Sequence, residues 1–232
     1  MKKKPLISVI ISYYKKKKFI KKTLDSISNQ TYKNFEVIFV YDDEDLVDVK
    51  FIKKLLLRFK KKKIIINKKN LGVANSRNLA IKYSKGTYLA FIDADDIWKK
   101  NKLSKQLYFM EKNSYHFSFT SYAVIDEKDK ILKKRRVNID ADYSNLYNSN
   151  FIGLNTVMIN KKIISSIHFP NLSTQEDFAL WLKLARKGIK LKHLNQTLSF
   201  WRKSKNSLSS NILHKLRDAF KLYYIYEKKN FI

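Results

Sequence analysis

The sequence predicts an α/β fold with a mostly parallel, doubly wound sheet, and three observations carry that prediction. Short apolar runs alternate with helical apolar spacing through roughly the first hundred residues, which is typical of βαβ units. The run at residues 88–92 is apolar or aromatic throughout, as expected of a strand buried on both faces. Three carboxylates, Asp93, Asp95 and Asp96, then follow at the end where open α/β sheets bind ligands.

The first part of the chain divides clearly into strands and helices. Helices are indicated where apolar residues recur every three or four positions, as they do at Phe19, Ile20, Leu24 and Ile27. The predicted strands cover residues 6–12, 35–41, 63–67 and 88–92. The predicted helices cover residues 19–29, 46–59 and 73–83.

After Trp98 the pattern is less regular. Strands are predicted at residues 117–125, 156–160 and 198–201, and helices at residues 101–113 and 178–187, the second closed by Gly188. A polar turn at residues 126–129 joins a hairpin to Ile131 and Leu132. Residues 211–226 predict a basic amphipathic helix. Its apolar face consists of Ile212, Leu213, Leu216, Ala219, Phe220 and Tyr223.

Domain organisation follows from what the sequence does not contain. No repeat and no low-complexity linker interrupts the 232 residues, a length that suits one large domain. We therefore predict a single domain over residues 1–210. Residues 211–232 form a C-terminal amphipathic helix that packs on this domain or extends from it.

Charge and composition limit the classes of protein to which the chain can belong. Lys and Arg number 49 against 20 Asp and Glu, for a formal charge of +29. A coding bias with a solvated surface, attraction to an anionic membrane or substrate, and nucleic-acid binding would each produce such an excess. The absence of cysteine excludes disulfides and thiolate metal sites. No apolar run approaches the ~18 residues of a membrane span, and the start of the chain lacks a signal-peptide cleavage site, so we expect a cytoplasmic protein.

The aspartates after residues 88–92 suggest a metal–nucleotide site. Alternation along an extended segment places Asp93 and Asp95 on one side. Such close carboxylates repel one another, and a hard divalent cation with oxygen ligands would relieve that repulsion. One carboxylate could hold the ion, and the other a ribose or a metal-bound water. The alternative is a solvated acidic turn with Asp96 as the cap of the next helix.

Two further segments carry candidate ligand contacts. Asp42 ends the second predicted strand, where a carboxylate can accept hydrogen bonds from a base or a ribose. Gly72, one of four glycines, precedes a helix and suggests a required turn or a close backbone approach. Arg77, about a turn into that helix, could reach a diphosphate. The alternatives are an acidic loop that caps a helix and an ordinary surface arginine.

A second acidic pair, Glu176 and Asp177, opens the predicted helix that contains Trp181. Spacing alone allows two interpretations, because paired acids at a helix start often only complement the helix dipole. The other interpretation is a catalytic pair.

Taken in order, these segments resemble the inverting glycosyltransferases of family 2, which have the GT-A fold. The resemblance implies a Rossmann-like, mostly parallel sheet with a small antiparallel extension and a C-terminal helix. The matches cover nearly the whole chain, and their order is more specific than any one of them. They are residues 8–11, 30–32, 35–42, 70–72, 76–78, 86–88, 91–98, 102–103, 176–181, 201–202 and 207–209.

The resemblance implies a metal-dependent enzyme that transfers a sugar, with inversion, from a nucleotide-diphosphate sugar to a hydroxyl group. It implies a UDP-linked donor, a glycan or lipid-linked saccharide acceptor, and a role in surface polysaccharide synthesis. Mn²⁺ or Mg²⁺ would be held by Asp95. Asp177 would be the general base, with Glu176 beside it, and Trp181 would pack behind the site.

The resemblance also implies a set of nucleotide-sugar contacts. Ser12, Tyr14 and Asp42 would line the base pocket. Arg77 and Asp93 would face the ribose and the diphosphate. The remaining two, Arg202 and Ser207, would close over the diphosphate.

The chain departs from the family pattern at several positions. The usual proline is Ser12, and the usual Asn or Asp two residues beyond the matching aromatic is replaced by a lysine run. The Gly-Ser that follows the base-binding aspartate becomes Asp43-Glu44. A histidine often found two residues after the loop arginine is Ser204, which removes a candidate metal ligand.

Other functions stay open at this point. A nucleotidyltransferase also pairs carboxylates with a metal and a nucleotide, but it would not need Glu176 and Asp177. A basic nucleic-acid-binding module fits the charge, yet gives no reason for acid clusters at segment ends, so no nucleic-acid partner is predicted. A non-catalytic member of the same fold is a third possibility. The basic terminal helix would allow peripheral contact with an anionic membrane at its inner face, unless it packs on the domain as core.

Overall fold

The computed structural model describes residues 4–164, 168–204 and 212–226. The strands are β1 (Ile7–Tyr13), β2 (Phe35–Tyr41), β3 (Lys62–Ile66), β4 (Tyr88–Asp93), β5 (Ile97–Trp98), β6 (Phe117–Ile125), β7 (Ile131–Arg135), β8 (Met158–Asn160) and β9 (Lys192–Arg202). The helices are α1 (Lys17–Ser28), α2 (Val49–Leu56), α3 (Val73–Tyr83), α4 (Lys102–Lys112), α5 (Tyr143–Asn148), α6 (Glu176–Arg186) and α7 (Ile212–Lys221).

The strands form one sheet in the order β3-β2-β1-β4-β8-β6-β9-β5, with β7 paired to β6. The pairs β3–β2, β2–β1 and β1–β4 are parallel, as the alternation of strands and helices predicts. The antiparallel pairs lie after β4, where β8 joins β4 to β6 and β5 pairs with β9. The predicted mostly parallel sheet with an antiparallel extension is confirmed.

The parallel strands β1, β2 and β4 are buried on both faces, whereas the edge strand β3 is largely exposed. Neighbouring residues of β1 enter different hydrophobic clusters, Ile10 on one face of the sheet and Val9 on the other. Helix α1 covers the second face with Leu24, whereas Ala80 of α3 and Trp181 of α6 cover the first. Helices on both faces explain why these strands read as continuous apolar runs.

Several elements differ from the predictions. The predicted helix at residues 46–59 divides into a 3₁₀ turn at Leu46–Asp48 and α2, because the Asp45 side chain caps the turn by accepting from the Val47 N–H at 3.0 Å. The predicted strand at residues 156–160 is shortened to β8 by a preceding 3₁₀ turn. Strand β9 begins six residues earlier than the prediction at residue 198. Helix α5 and the two-residue strand β5 are unpredicted.

The terminal helix α7 packs on the domain through Asp218; of the predicted apolar face, Tyr223 packs against the core, while Leu216 and Phe220 do not. Asp218, only 1% exposed, accepts hydrogen bonds from the backbone N–H (2.8 Å) and the hydroxyl (3.1 Å) of Thr174. These bonds turn the Asp218 side inward, and Leu216 and Phe220 are left 64% and 56% exposed. The side chains of Ile212 and Leu213 lie outside the described part of the chain. Among the described helices, none combines the length and the hydropathy that crossing a bilayer requires.

Candidate active site

The carboxyl ends of β1, β2 and β4 bring the first candidate residues to one edge of the sheet. In the parallel register Ser12 of β1 lies beside Asp93 of β4, and Tyr13 lies beside Tyr41 of β2. The Asp42 N–H donates to the Tyr13 carbonyl at 2.8 Å, which fixes the start of the loop after β2. Predicted contacts from three strands therefore lie at one edge of the sheet, as the parallel register requires.

Asp42 is buried at the end of β2 and holds the loop before α3. Its Oδ1 accepts from Asn67 Nδ2 at 2.7 Å and from the Leu71 backbone N–H at 2.8 Å. Gly72 follows with a φ of +82°, a left-handed conformation. A Cβ atom at this position would meet no other atom within 4 Å. A required turn, and not a close approach, therefore explains this glycine. Tyr14 directly follows β1 and is 40% exposed, with the Lys15 ammonium 5.2 Å from the centre of its ring.

The three aspartates after β4 differ in what holds them. Asp93 is the most accessible, and its Oδ1 accepts from Arg77 Nη2 at 2.6 Å. Asp95 is nearly buried, with its Oδ2 2.7 Å from Lys16 Nζ. Asp96 is fully enclosed and accepts from Asn155 Nδ2 at 2.6 Å. Desolvation and the adjacent carboxylates raise the pKa of Asp96 well above its ordinary value.

Arg77 joins this edge to the start of α6. Its guanidinium is 5% exposed, with one nitrogen bound to Asp93 and another bound to Glu176, although 99 residues separate Arg77 from Glu176. Desolvation lowers the pKa of Arg77, but the charges of Asp93, Glu176 and Asp177 more than offset it, so the pKa lies above its ordinary value. A cation buried among carboxylates stays charged and fixes their relative positions.

Asp177 differs from its neighbour Glu176 in lacking a cationic partner at ion-pair distance within the described residues. It accepts a hydrogen bond from the Phe178 backbone N–H at 2.7 Å and is partly exposed. Desolvation first, and then repulsion from Glu176, raise the pKa of Asp177 to about 7. The preceding Gln175 is left-handed, with a φ of +62°, and turns the chain sharply into α6. A carboxyl with a pKa near neutrality can both take and hold a proton.

The remaining predicted residues have different placements. Arg202 is buried beneath the aspartates: its Nε donates to the Asp95 carbonyl at 2.8 Å and its Nη1 to the Asp126 carbonyl at 2.6 Å. Contact between Arg202 and the diphosphate stays a prediction. Such a contact would require Arg202 to break these hydrogen bonds. Ser207 lies outside the described residues. Trp181 is fully buried against Phe117, so it packs behind the site as expected.

The donor set at Asp95 fits a divalent ion that is shared with a substrate. Within the described ranges, no cluster of three or more His, Asp or Glu side chains could enclose a metal alone. Mg²⁺ and ions like it are usually held by one or two carboxylates together with substrate phosphates. Asp95 and Asp93 supply such carboxylates at one edge, each with one oxygen bound by a cationic side chain.

Sequence reasoning missed three residues that organise the site. Asn67 orients Asp42, Asn155 holds Asp96, and Lys16 pairs with Asp95. The asparagines carry no sequence signal, because their partners are remote in the chain. Lys16 had a weak signal: it falls two residues beyond the aromatic Tyr14, within the lysine run that departs from the family pattern.

Comparisons with known proteins identify the family that the chain resembles. The family model for Glycosyl transferase family 2 matches residues 8–170. The chain is 34% identical over 226 residues to the putative teichuronic acid biosynthesis glycosyltransferase TuaG of Bacillus subtilis (strain 168), covering 97% of this chain and 88% of that protein. It is 35% identical over 214 residues to the UDP-Glc:alpha-D-GlcNAc-diphosphoundecaprenol beta-1,3-glucosyltransferase WfaP of Escherichia coli, covering 89% and 80%.

Solved structures give the same fold. The S. aureus TarS 1–349 structure in complex with UDP-GlcNAc matches with a TM-score of 0.74 at 21% identity, covering 88% of this chain and 61% of that one. The Pyrobaculum calidifontis mannosyltransferase PcManGT, in complex with GDP-Man and Mn²⁺, matches with a TM-score of 0.73 at 14% identity, covering 99% and 66%. This chain thus spans about three fifths of the TarS fragment. These similarities confirm the predicted GT-A fold.

Proposed function

The chain belongs to glycosyl transferase family 2, and on that premise we propose that it transfers a sugar, with inversion, from a UDP-linked donor to a hydroxyl of a glycan or lipid-linked saccharide. The names of TuaG and WfaP support surface polysaccharide assembly as the setting. Family membership favours this activity over a nucleotidyltransferase or a basic nucleic-acid-binding module.

One observation supports the mechanism: Arg77 binds both Asp93 and Glu176, so the start of α6, with the partly exposed Asp177, lies beside the end of β4. In a single displacement, Asp177 removes the proton from the acceptor hydroxyl as its oxygen attacks the anomeric carbon. A base with a pKa of about 7 is matched to that transfer near neutral pH. Glu176, paired with Arg77, keeps the start of α6 in position.

The donor would lie along the sheet edge. Ser12, Tyr14 and the Asp42 loop surround the space for the base, and Tyr14 supplies the exposed ring. Asp93 and Arg77 stand where the ribose and diphosphate would follow. Arg202 and Ser207 are proposed to close over the diphosphate. Buried partners on Asp42 and Asp93 hold these groups in place before the donor arrives, which lowers the entropic cost of binding.

Asp95 is the proposed ligand of Mn²⁺ or Mg²⁺, with Asp93 beside it. A bound divalent ion supplies Lewis-acid stabilisation of the charge that develops on the departing nucleoside diphosphate. Asp95→Ala should abolish the part of nucleotide affinity that depends on metal. Calorimetry with UDP, with and without Mn²⁺, measures this directly, and unchanged metal-dependent binding would contradict the assignment.

The acceptor would be presented at the inner face of a membrane, with the protein cytoplasmic and peripheral. Leu216, Phe220 and Tyr224 recur every four residues, each at least half exposed, and basic Arg217 and Lys221 adjoin them. Such a surface fits anionic lipid. Co-sedimentation with anionic liposomes should therefore fall for Leu216→Glu. The matched control is Leu57→Glu, which changes a 71% exposed leucine elsewhere and should leave binding unchanged.

A donor screen tests the proposed function as a whole. Thermal shifts with UDP, GDP and their sugar conjugates, each with Mn²⁺ or Mg²⁺, should reveal the nucleotide, because specific binding stabilises the folded protein. NMR of the sugar product should then show an inverted anomeric configuration. Retention would exclude the single displacement, and release of pyrophosphate from a nucleoside triphosphate would favour the nucleotidyltransferase.

A further inference from the structure

Lys16 is the residue whose placement the mechanism above leaves unexplained. It stands immediately before α1, and its carbonyl accepts from the N–H groups of Phe19 and Ile20, each at 3.0 Å. The backbone is therefore fixed, and the side chain, 22% exposed, extends toward the end of β4. Its ammonium lies 2.7 Å from Asp95 Oδ2 and donates to Ser204 Oγ at 3.3 Å.

The neighbouring cations point elsewhere. Lys17 pairs with Asp48 at 2.7 Å, and Lys18 pairs with Glu127 at 2.6 Å on the outer surface. Arg202 bonds to backbone carbonyls beneath the site and pairs with Asp129 at 2.5 Å. From the run of lysines after Tyr14, the structure thus directs Lys16 to the proposed metal ligand.

We propose, on the basis of the donor chemistry proposed above, that Lys16 is a tethered cation that binds the donor diphosphate and competes with a divalent ion for Asp95. A lysine ammonium is a compact charge on a flexible stem, suited to exchange a carboxylate partner for a phosphate. With metal absent, Lys16 keeps a positive charge beside Asp95 for an incoming diphosphate. When a divalent ion occupies Asp95, Lys16 is released toward the phosphate oxygens.

Two opposite effects on binding follow, and together they distinguish this role from a structural one. Lys16→Met should weaken UDP binding in EDTA by about 10- to 100-fold, the range that a hydrogen bond between charged groups supplies. The same substitution should tighten binding of Mn²⁺ alone, because Asp95 loses its competing partner. Lys16→Arg keeps the charge and should retain most of the metal-free UDP binding.

The experiment compares the wild-type protein with Lys16→Met, Lys16→Arg and Lys18→Met. Calorimetry measures UDP binding in EDTA and in Mn²⁺, electron paramagnetic resonance measures binding of Mn²⁺ alone, and thermal melts confirm folding. Lys18→Met is the matched control, because it removes the same charge from a 67% exposed neighbour. It should behave as the wild type in both binding measurements.

The results separate failure of this role from failure of the donor proposal. UDP binding by the wild type in Mn²⁺ but not in EDTA would overturn the tethered-cation role and leave the donor intact. Equal effects of Lys16→Met and Lys18→Met would also overturn it, since general electrostatic attraction would then suffice. Failure of the wild type to bind any nucleoside diphosphate with or without Mn²⁺ would overturn the proposed donor, and this role with it.

Discussion

Arg77 joins two groups of acidic residues, one at the end of β4 and one at the start of α6. The two groups differ in the partners that bind their carboxylates. At the end of β4, Asp93 and Asp95 each bind a cationic side chain, from Arg77 and from Lys16 respectively. At the start of α6, Arg77 pairs with Glu176, while Asp177 has a backbone N–H as its hydrogen-bond donor within the described residues.

The proposed roles follow this difference: the carboxylates paired with cations hold ligands, and Asp177 exchanges a proton. Desolvation raises the pKa of Asp95 and of Glu176, but the ion pairs with Lys16 and Arg77 lower it and favour the charged form. Asp177 has no cation at ion-pair distance among the described residues, and desolvation followed by the charge of Glu176 raises its pKa to about 7. All of these groups are carboxylates, and the partners of each one distinguish them.

Replacing Asp177 should have the largest effect. Asp177→Asn keeps the shape of the side chain and its acceptor oxygen but cannot take a proton. We expect turnover to fall by at least ~10²–10⁴-fold, the usual contribution of a general base. Donor affinity should hardly change. Turnover assays with calorimetric donor binding measure both, and unchanged turnover would remove Asp177 from the mechanism.

Removing the shared cation should destabilise both clusters at once. Arg77→Met leaves Asp93 and the buried Glu176 without their partner, and breaking a buried ion pair typically costs ~3–5 kcal/mol. Urea denaturation should therefore show that loss in the free energy of unfolding. A loss below about 1 kcal/mol would mean that the two clusters do not depend on Arg77.

The dependence of stability on pH sharpens the comparison further. Because the folded-state pKa of Asp177 is raised from 3.8 to about 7, the folded protein keeps a proton that the unfolded chain has lost across this interval. This group therefore reduces stability as pH rises from about 4 to 7. Relative to the wild type, Asp177→Asn should gain stability over that interval, by an amount on the order of 1–3 kcal/mol, and then level off. Parallel stability curves for the two proteins would contradict the raised pKa.

The smallest effect on stability is expected for an ion pair at the protein surface. Lys22 pairs with Asp129, and their side chains are 52% and 33% exposed. Asp129 also pairs with the buried Arg202 and keeps that partner when Lys22 is replaced. Exposed pairs contribute about 0–1 kcal/mol. Lys22→Met should accordingly change the free energy of unfolding by less than about 1 kcal/mol. A loss as large as that expected for Arg77→Met would show that burial does not distinguish these pairs.

The parallel half of the fold could be predicted because its signals are local. Strands β1, β2 and β4 are largely apolar runs, and α1 and α3 show helical spacing of apolar residues. Each of these elements can therefore be recognised from about ten consecutive residues. Strand β9 cannot be recognised in this way. Its first residues pair in parallel with residues of β6 that lie about 70 positions earlier in the chain, and the register is irregular. A partner so distant leaves no local periodicity.

The same distinction holds for the candidate site. The aspartates after β4 and the acids that open α6 were recognisable from position and from the resemblance. The bond from Arg77 to Glu176 was not, because it depends on how α3 and α6 pack on the sheet. The raised pKa of Asp177 depends on that packing. Spacing in the sequence alone therefore could not show which of Asp177 and Glu176 is the better candidate for the general base.

The most direct test of this account is a carboxyl NMR titration that follows ¹³C-labelled aspartates in the wild type and in Asp177→Asn. The aspartate signal that is missing from the variant spectrum should titrate near pH 7 in the wild type. If the signal lost in the variant instead titrates near pH 4, Asp177 is an ordinary surface acid and the contrast between the two clusters fails.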